Sequence, residues 1–224
     1  MKLLKKNLNK LIKGKAYDPS FEHDACGVGF IASTDSKKSR KVVEFGIQAL
    51  KAVWHRGAVD ADGKTGDGAG IHIEIPQNFF IERIQNAGRI HKEGSICVGM
   101  IFLPRNDYSS QEKCKTIVEN ELLNRNYYIY RWRQVPVNTK VLGEKAENNR
   151  PEIVQVIFKS NNLNLKDDDL ERDLYVIRKK IEKQANFLKL KDFYISSFSS
   201  RSIIYKGMFL AEGLSEFYPD LLDK

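Results

Sequence analysis

The sequence predicts an α+β fold built on antiparallel sheets. Three observations carry that prediction. Strand-like and helix-like segments are mixed without the strict βαβ alternation that a doubly wound parallel sheet needs. Short segments such as residues 71–75 and 152–158 alternate apolar and polar positions, as a strand with one wet face does. And one long stripe, Leu170, Leu174, Ile177, Ile181, Ala185 and Leu188, recurs at the helical period rather than at two. The chain has 224 residues, 42% of them hydrophobic and 29% charged, which fits one large domain or at most two small ones and an ordinary globular composition.

Element by element, residues 1–20 read as an extension in which Leu3, Leu4, Leu8, Leu11 and Ile12 give only weak helical periodicity, and a disposable leader is the preferred reading. Residues 27–34 are apolar and glycine-containing and read as a buried strand. Ser39 is placed to cap a helix over 40–54, with Val42, Val43, Gly46, Ala49, Leu50 and Val53 on one face. Residues 57–70 form a long glycine-rich loop, and loops of that length inside compact domains usually carry function. A half-buried strand over 71–75 ends at Pro76, and a short helix covers 77–86. A buried strand over 96–103, a helix over 111–124 and a strand over 127–135 follow. Residues 136–150 are polar and read as loop. The next strand, 152–158, alternates except for the run Val156-Ile157-Phe158. Asp167, Asp168 and Asp169 open the longest helix, where acids complement the dipole, with lysines towards its end. Residues 193–199 and 202–205 read as two paired strands around Ser200-Arg201.

Composition excludes several classes of function. No apolar run approaches the ~18 residues of a membrane span, and the basic start lacks the apolar core of a secretory signal. The formal net charge of +8 overstates basicity, because residues 1–25 hold six lysines against three acids and the rest are dispersed. Nucleic-acid binding is therefore not expected. The three cysteines, Cys26, Cys97 and Cys114, are odd in number and far apart, which argues against a disulfide framework or a thiolate metal site and fits a reducing, cytoplasmic setting. Cys97 and Cys114 read as buried small hydrophobes.

Cys26 is different. At the head of the glycine-rich run Cys26-Gly27-Val28-Gly29 it is poorly placed for packing, but well placed to become a new N-terminus. A free thiol ionises near pH 8.5 and needs a base. If the bond after Ala25 is cut, the residue's own α-amine, with a pKa of about 8, supplies one. Asp18, Pro19 and Ser20 favour an exposed turn upstream, and Ala25 leaves little bulk at the cut. Arg56 and Gly57 stand where the first helix meets the glycine loop, and an arginine there can hold a carboxylate through two parallel hydrogen bonds. The bland readings are a structural cysteine and a surface arginine. Asp60, Asp62 and Asp67 do not have the spacing of an EF-hand. Gly63-Lys64-Thr65 is not a P-loop, because the earlier glycine would have to stand at Ala58 and a helix precedes the loop. His23, His55, His72 and His91 are scattered without ligand spacing, so no metal site is expected.

The run "CGVGFIA" from Cys26, with "ALKAVWHRGAVDADGKTGDGAGIHIEIP" from Ala49 to Pro76, resembles the N-terminal glutamine amidotransferase domain of glutamate synthase large subunits. "YYIYRWRQVPVN", "LGEKAENNRPEIVQV" and "SSRSIIYKGMFLAEGLSEFYPDLLD" agree with it, in order. The resemblance implies an N-terminal-nucleophile hydrolase fold, a four-layer αββα sandwich with two antiparallel sheets, here incomplete. It implies residues 1–25 as a leader or propeptide, residues 26–224 as the N-terminal portion of the type-2 amidotransferase domain, Cys26 as nucleophile, and Arg56 and Gly57 at the glutamine site. The implied reaction hydrolyses the glutamine side-chain amide, and the ammonia passes to a downstream flavin domain where 2-oxoglutarate is converted to glutamate. FMN and an iron–sulfur cluster are implied in those domains, no cofactor in this chain. The implied partners are glutamine, the remaining domains and a small electron-donating subunit, with neither nucleic acid nor membrane.

The family pattern continues past "FYPDL" to a His-x-Arg segment and an Asn-Gly pair that supplies the oxyanion hole, and the sequence ends at Lys224 before both. An oxyanion donor is worth about 3–4 kcal/mol of barrier, so this polypeptide alone is expected to be poorly active. The alternatives are a non-catalytic binding or regulatory module that keeps the fold, and an amidotransferase serving nucleotide or amino-sugar synthesis.

Overall fold

The computed structural model describes residues 27–35, 37–53 and 57–222. The leader, Cys26, Trp54, His55 and Arg56 lie outside the described residues. The elements are α1 (Arg40–Ala52), β1 (Ala69–Glu74), α2 (Gln77–Gln85), β2 (Cys97–Leu103), α3 (Tyr108–Asn124), β3 (Tyr127–Gln134), α4 (Glu144–Asn148), β4 (Glu152–Ser160), α5 (Asp167–Phe187), β5 (Tyr194–Ser199), β6 (Ser202–Gly207) and α6 (Leu214–Phe217), with short 3₁₀ turns at Thr139–Val141, Ala211–Gly213 and Pro219–Leu222.

They form two antiparallel sheets, one four-stranded in the order β3-β4-β2-β5 and one of β1 with β6. The α+β class expected from the mixed pattern is therefore the fold observed. The strand period of two divides the larger sheet's side chains between two cores. Ile101, Leu103, Val154, Val156, Phe158 and Ile195 face α3 and α5, where Ile117, Val118, Leu122, Leu174, Ile177 and Ile181 close the layer. Val98, Met100, Tyr130, Ile153 and Ile157 face the other way, against Ile203 and Tyr205 of β6, Phe80 and Ile84 of α2 and Ile47 of α1. The run Val156-Ile157-Phe158 breaks alternation because β4 lies between two strands and is covered on both faces, burying all three residues.

Six expectations change. Residues 27–33 are not a buried strand: the segment carries no ladder, and Val28 and Phe30 are each 91% exposed. An extended segment gains burial by adding to a sheet, and this one joins no strand of either sheet. α1 ends at Ala52, and Ser39 stands at its N-cap without a side-chain capping bond; the helix's one fully buried residue is Ile47. α3 begins a turn early at Tyr108, because the Asp107 carboxylate accepts from Ser110 N at 3.0 Å. Residues 136–150 contain α4, whose five residues are too few to register a 3.6-residue period. α5 closes before Leu188, which is 52% exposed, and its last turn has no basic residue.

The last difference concerns β5 and β6. They follow one another but lie in different sheets. Serine side chains replace the hairpin ladder: Ser199 Oγ accepts from the backbone N–H of Arg201 (2.9 Å) and Ser202 (3.1 Å), and Ser197 Oγ accepts from Ile204 N at 3.1 Å. The Glu171 carboxylate of α5 then accepts from Ser199 Oγ (2.9 Å), Ser200 N (2.7 Å) and Ser200 Oγ (2.6 Å). With backbone donors satisfied in this way, the chain turns a corner from one sheet to the other instead of folding back.

Candidate functional site

The glycine-rich loop is an ordered hairpin. Val59 bridges Gly66, Asp60 N donates to Thr65 O at 2.8 Å, and Gly63 N donates to Asp60 O at 2.9 Å. Gly63 takes φ 68, the left-handed value a tight turn needs there. At the base, Ala58 N donates to Asp67 Oδ2 at 3.1 Å and Asp67 N to Ala58 O at 3.3 Å. Gly57, the one predicted substrate-site residue among those described, is the exposed residue leading into this base. Cys26 and Arg56, the other two, fall outside the described residues.

The hairpin tip is fastened from within. Asp62 Oδ1 accepts from Lys64 N (2.9 Å) and Thr65 N (2.7 Å), and Asp62 Oδ2 accepts from Thr65 Oγ1 (2.5 Å). These donors, the Thr65 hydroxyl first, hold the Asp62 carboxyl down to about 2. Asp60, next to it, pairs with Lys145 Nζ of α4 at 2.7 Å, which lowers its pKa. The three acids whose spacing does not fit a calcium loop are thus the loop's own fasteners. Among the described residues no group of three His, Cys, Asp or Glu is placed to hold a metal.

The tip also rests on the body of the protein. Gly143, buried at the start of α4, lies so close to Asp62 and Thr65 that a Cβ there would collide with both. Gly66 sits against the backbone of Phe209, where a Cβ would come within 3.0 Å of the carbonyl carbon and oxygen. Sequence reasoning missed this seat, because α4 was hidden in a polar stretch. Asp62 three residues before Thr65, the spacing of a side-chain-capped turn, was the available signal.

Where the hairpin runs into β1, a cleft of about 710 Å³ opens. Asp67, Gly68 and Ala69 line its start, and Phe102, Ile153, Phe209 and Phe217 make its walls largely apolar. The cleft holds no described thiol. Cys97 and Cys114 are both fully buried, and burial pushes the Cys114 thiol up to about 11 and Cys97 further still. His72 stands on the exposed face of β1. His91 is engaged by Tyr130 Oη at 2.7 Å and the Gly94 carbonyl at 3.1 Å. No described helix is long and apolar enough to cross a membrane.

The profile of the family described as "Glutamine amidotransferases class-II" matches residues 26–224. The chain is 57% identical over 218 residues to the glutamate synthase [NADPH] large chain of Azospirillum brasilense, covering 97% of this chain and 14% of that one. It is 43% identical over 205 residues to the ferredoxin-dependent glutamate synthase of Pyropia yezoensis (89% and 13%). It is 37% identical over 209 residues to the glutamate synthase [NADPH] large chain of Bacillus subtilis (93% and 14%). The chain therefore spans about one seventh of the length of these relatives.

Proposed function

This chain belongs to the class-II glutamine amidotransferases, and from that premise we propose that it performs the glutamine-hydrolysing half-reaction of a glutamate synthase, with Cys26 as nucleophile. The observation that carries the proposal is the family match, which begins at Cys26 itself. The burial of both other cysteines supports it, since neither can meet a substrate. The same match favours an enzyme over a binding module.

In this reading residues 1–25 are removed and Cys26 becomes the first residue. Its α-amine takes the thiol proton, and the thiolate attacks the carbonyl carbon of the glutamine side-chain amide. The carbon–nitrogen bond of the tetrahedral species breaks. The proton held by the amine goes to the leaving nitrogen, and ammonia departs from a γ-glutamyl thioester. Water, deprotonated by the same amine, attacks the thioester, and glutamate leaves as the sulfur recovers its proton. Arg56 would pair with the substrate α-carboxylate, and Gly57 would leave room beside it.

In the longer protein the ammonia would pass to a flavin domain and meet 2-oxoglutarate. FMN, an iron–sulfur cluster and a small electron-donating subunit belong to that proposed assembly, in a cytoplasmic setting, and not to this chain.

Three measurements on the full-length protein test the reading. Intact mass should show a polypeptide that begins at Cys26, and an electrophilic glutamine analogue should label that sulfur. Cys26→Ala should abolish glutamine-dependent turnover while turnover with high ammonia survives. An intact Met1 in active enzyme, or equal loss of both activities, would refute it.

A further inference from the structure

The apolar cleft beside β1 carries one cation without a counter-charge. Lys206 of β6 reaches the cleft lining, where its Nζ stands 4.3 Å from the centre of the Tyr194 ring and donates to Tyr194 Oη at 2.8 Å. Among the described residues no carboxylate pairs with it. The other charged groups of the lining are engaged: Asp67 accepts from Ala58 N at 3.1 Å, and Arg150 pairs with Glu147 at 2.9 Å. The lysine's path is reserved by the opposite strand. Its ladder partner on β1 is Gly70, where a Cβ would come within 2.8 Å of Lys206 Cβ, so the stem crosses a place that only glycine leaves open. Tyr194 rests against Phe102, with ring centres 5.8 Å apart, and Phe209 with Phe217 adds further aromatic surface to the lining. A phenol and a ring face hold an ammonium in place without neutralising it. Against apolar walls the ammonium loses water, and an anion would offset that loss. The cleft's volume of about 710 Å³ falls within the ~300–1,000 Å³ of small-molecule sites, which also combine apolar walls with a few placed polar groups.

We propose that this cleft binds a small amphipathic acid, a molecule with an aromatic or aliphatic body and one anionic head, the head pairing with Lys206 and the body lying against Phe102, Phe209 and Phe217. The inference goes beyond glutamine hydrolysis and does not depend on the role of Cys26. Lys206 selects for the charge, and the aromatic walls select for the body.

Fluorescence titration of the full-length protein with two probes tests this. Anilinonaphthalene sulfonate is an apolar arene with one anionic head, and N-phenylnaphthylamine has the same body without the charge. The sulfonate should saturate at a single site. Lys206→Met deletes the ammonium and keeps an unbranched stem, so it should weaken the sulfonate roughly tenfold while the neutral probe stays within about twofold of the parent. Retained binding of the neutral probe also reports that the cleft of the variant is intact. Lys206→Arg keeps the charge and should hold the sulfonate within about threefold of the parent. Lys183→Met removes an exposed charge on α5 instead and should change neither probe. Met208→Trp adds bulk at a half-exposed position of the lining and should weaken both. The proposal is overturned if the sulfonate does not saturate at one site, if Lys206→Met binds it as tightly as the parent, if that variant loses both probes alike, or if Met208→Trp leaves both unaffected. None of these readouts involves glutamine turnover, so their failure and the failure of the Cys26 assignment are distinguishable.

Discussion

Asp220 should be among the most costly single side chains to remove. Its carboxylate receives both arms of the Arg133 guanidinium, each at 2.7 Å, and the pair is buried, with side-chain exposures of 5% and 10%. Arg133 also donates to Gln155 Oε1 at 2.9 Å, Gln155 Nε2 donates to Tyr205 Oη at 3.3 Å, and Tyr205 Oη donates to Asp220 Oδ2 at 3.5 Å. Burial pushes the Tyr205 phenol well above its ordinary value, so it remains a donor across the accessible pH range. The network ties the turn Pro219–Leu222 to β3, β4 and β6. Asp220→Ala leaves a guanidinium inside the protein with Gln155 and the Phe79 ring, 5.4 Å away, for company. Stranding a buried charge costs about 3–5 kcal/mol. For a chain of this size each kcal/mol moves the midpoint by about 2–4 °C, so thermal unfolding should fall by roughly 6–20 °C. Urea unfolding supplies the free energy directly, provided the slope is unchanged. Arg133→Met with Asp220→Leu removes both charges and should recover most of the loss, because two desolvation penalties vanish with the attraction. A loss below about 1 kcal/mol for Asp220→Ala, or a double variant weaker than the single one, would refute the reasoning.

Two further outcomes follow from the burial of particular groups. With iodoacetamide at pH 7.5, peptide mapping should find Cys26 alkylated first, with Cys97 and Cys114 modified only after urea is added, because burial both shields these thiols and raises their pKa; native-state labelling of either at a comparable rate would contradict the structure. Burial, more than any other cause, depresses the His91 pKa below its usual 6.5. The unfolded chain therefore binds this proton more readily, so the contribution is complete above pH 6.5 and is lost as pH falls through the lower folded value. Urea midpoints at pH 7 and pH 5 should differ less in His91→Gln than in the parent, and an equal or larger difference would remove His91 as a cause.

Legibility followed the size of the repeating signal. α5 announces itself through five buried residues on one stripe, β2 through an apolar run, and β3 through an aromatic-rich stretch that ends just before Pro136. α4 has one buried residue, Ala146, in five, so no periodic pattern could reveal it. The strand expected over 27–34 was a reasonable inference from composition, but a strand is a relation between two segments and composition describes only one. For the candidate site, the glycine-rich stretch was readable as a loop, whereas the contact of Asp62 and Thr65 with Gly143 was not, since it joins residues about eighty positions apart.

What the sequence determined by itself was local and chemical: the α+β class, the order of the principal elements, and the family to which the Cys26 and glycine-loop motifs belong. Those properties depend on side-chain type and spacing along one segment, which the chain carries whether folded or not. Only the tertiary structure decided that β5 and β6 part into different sheets, that Arg133 and Asp220 meet in the interior, and that the glycine hairpin is seated on α4. Each of these rests on the desolvation and close approach of groups distant in sequence, and such contacts have an energy only once the whole chain has closed around them.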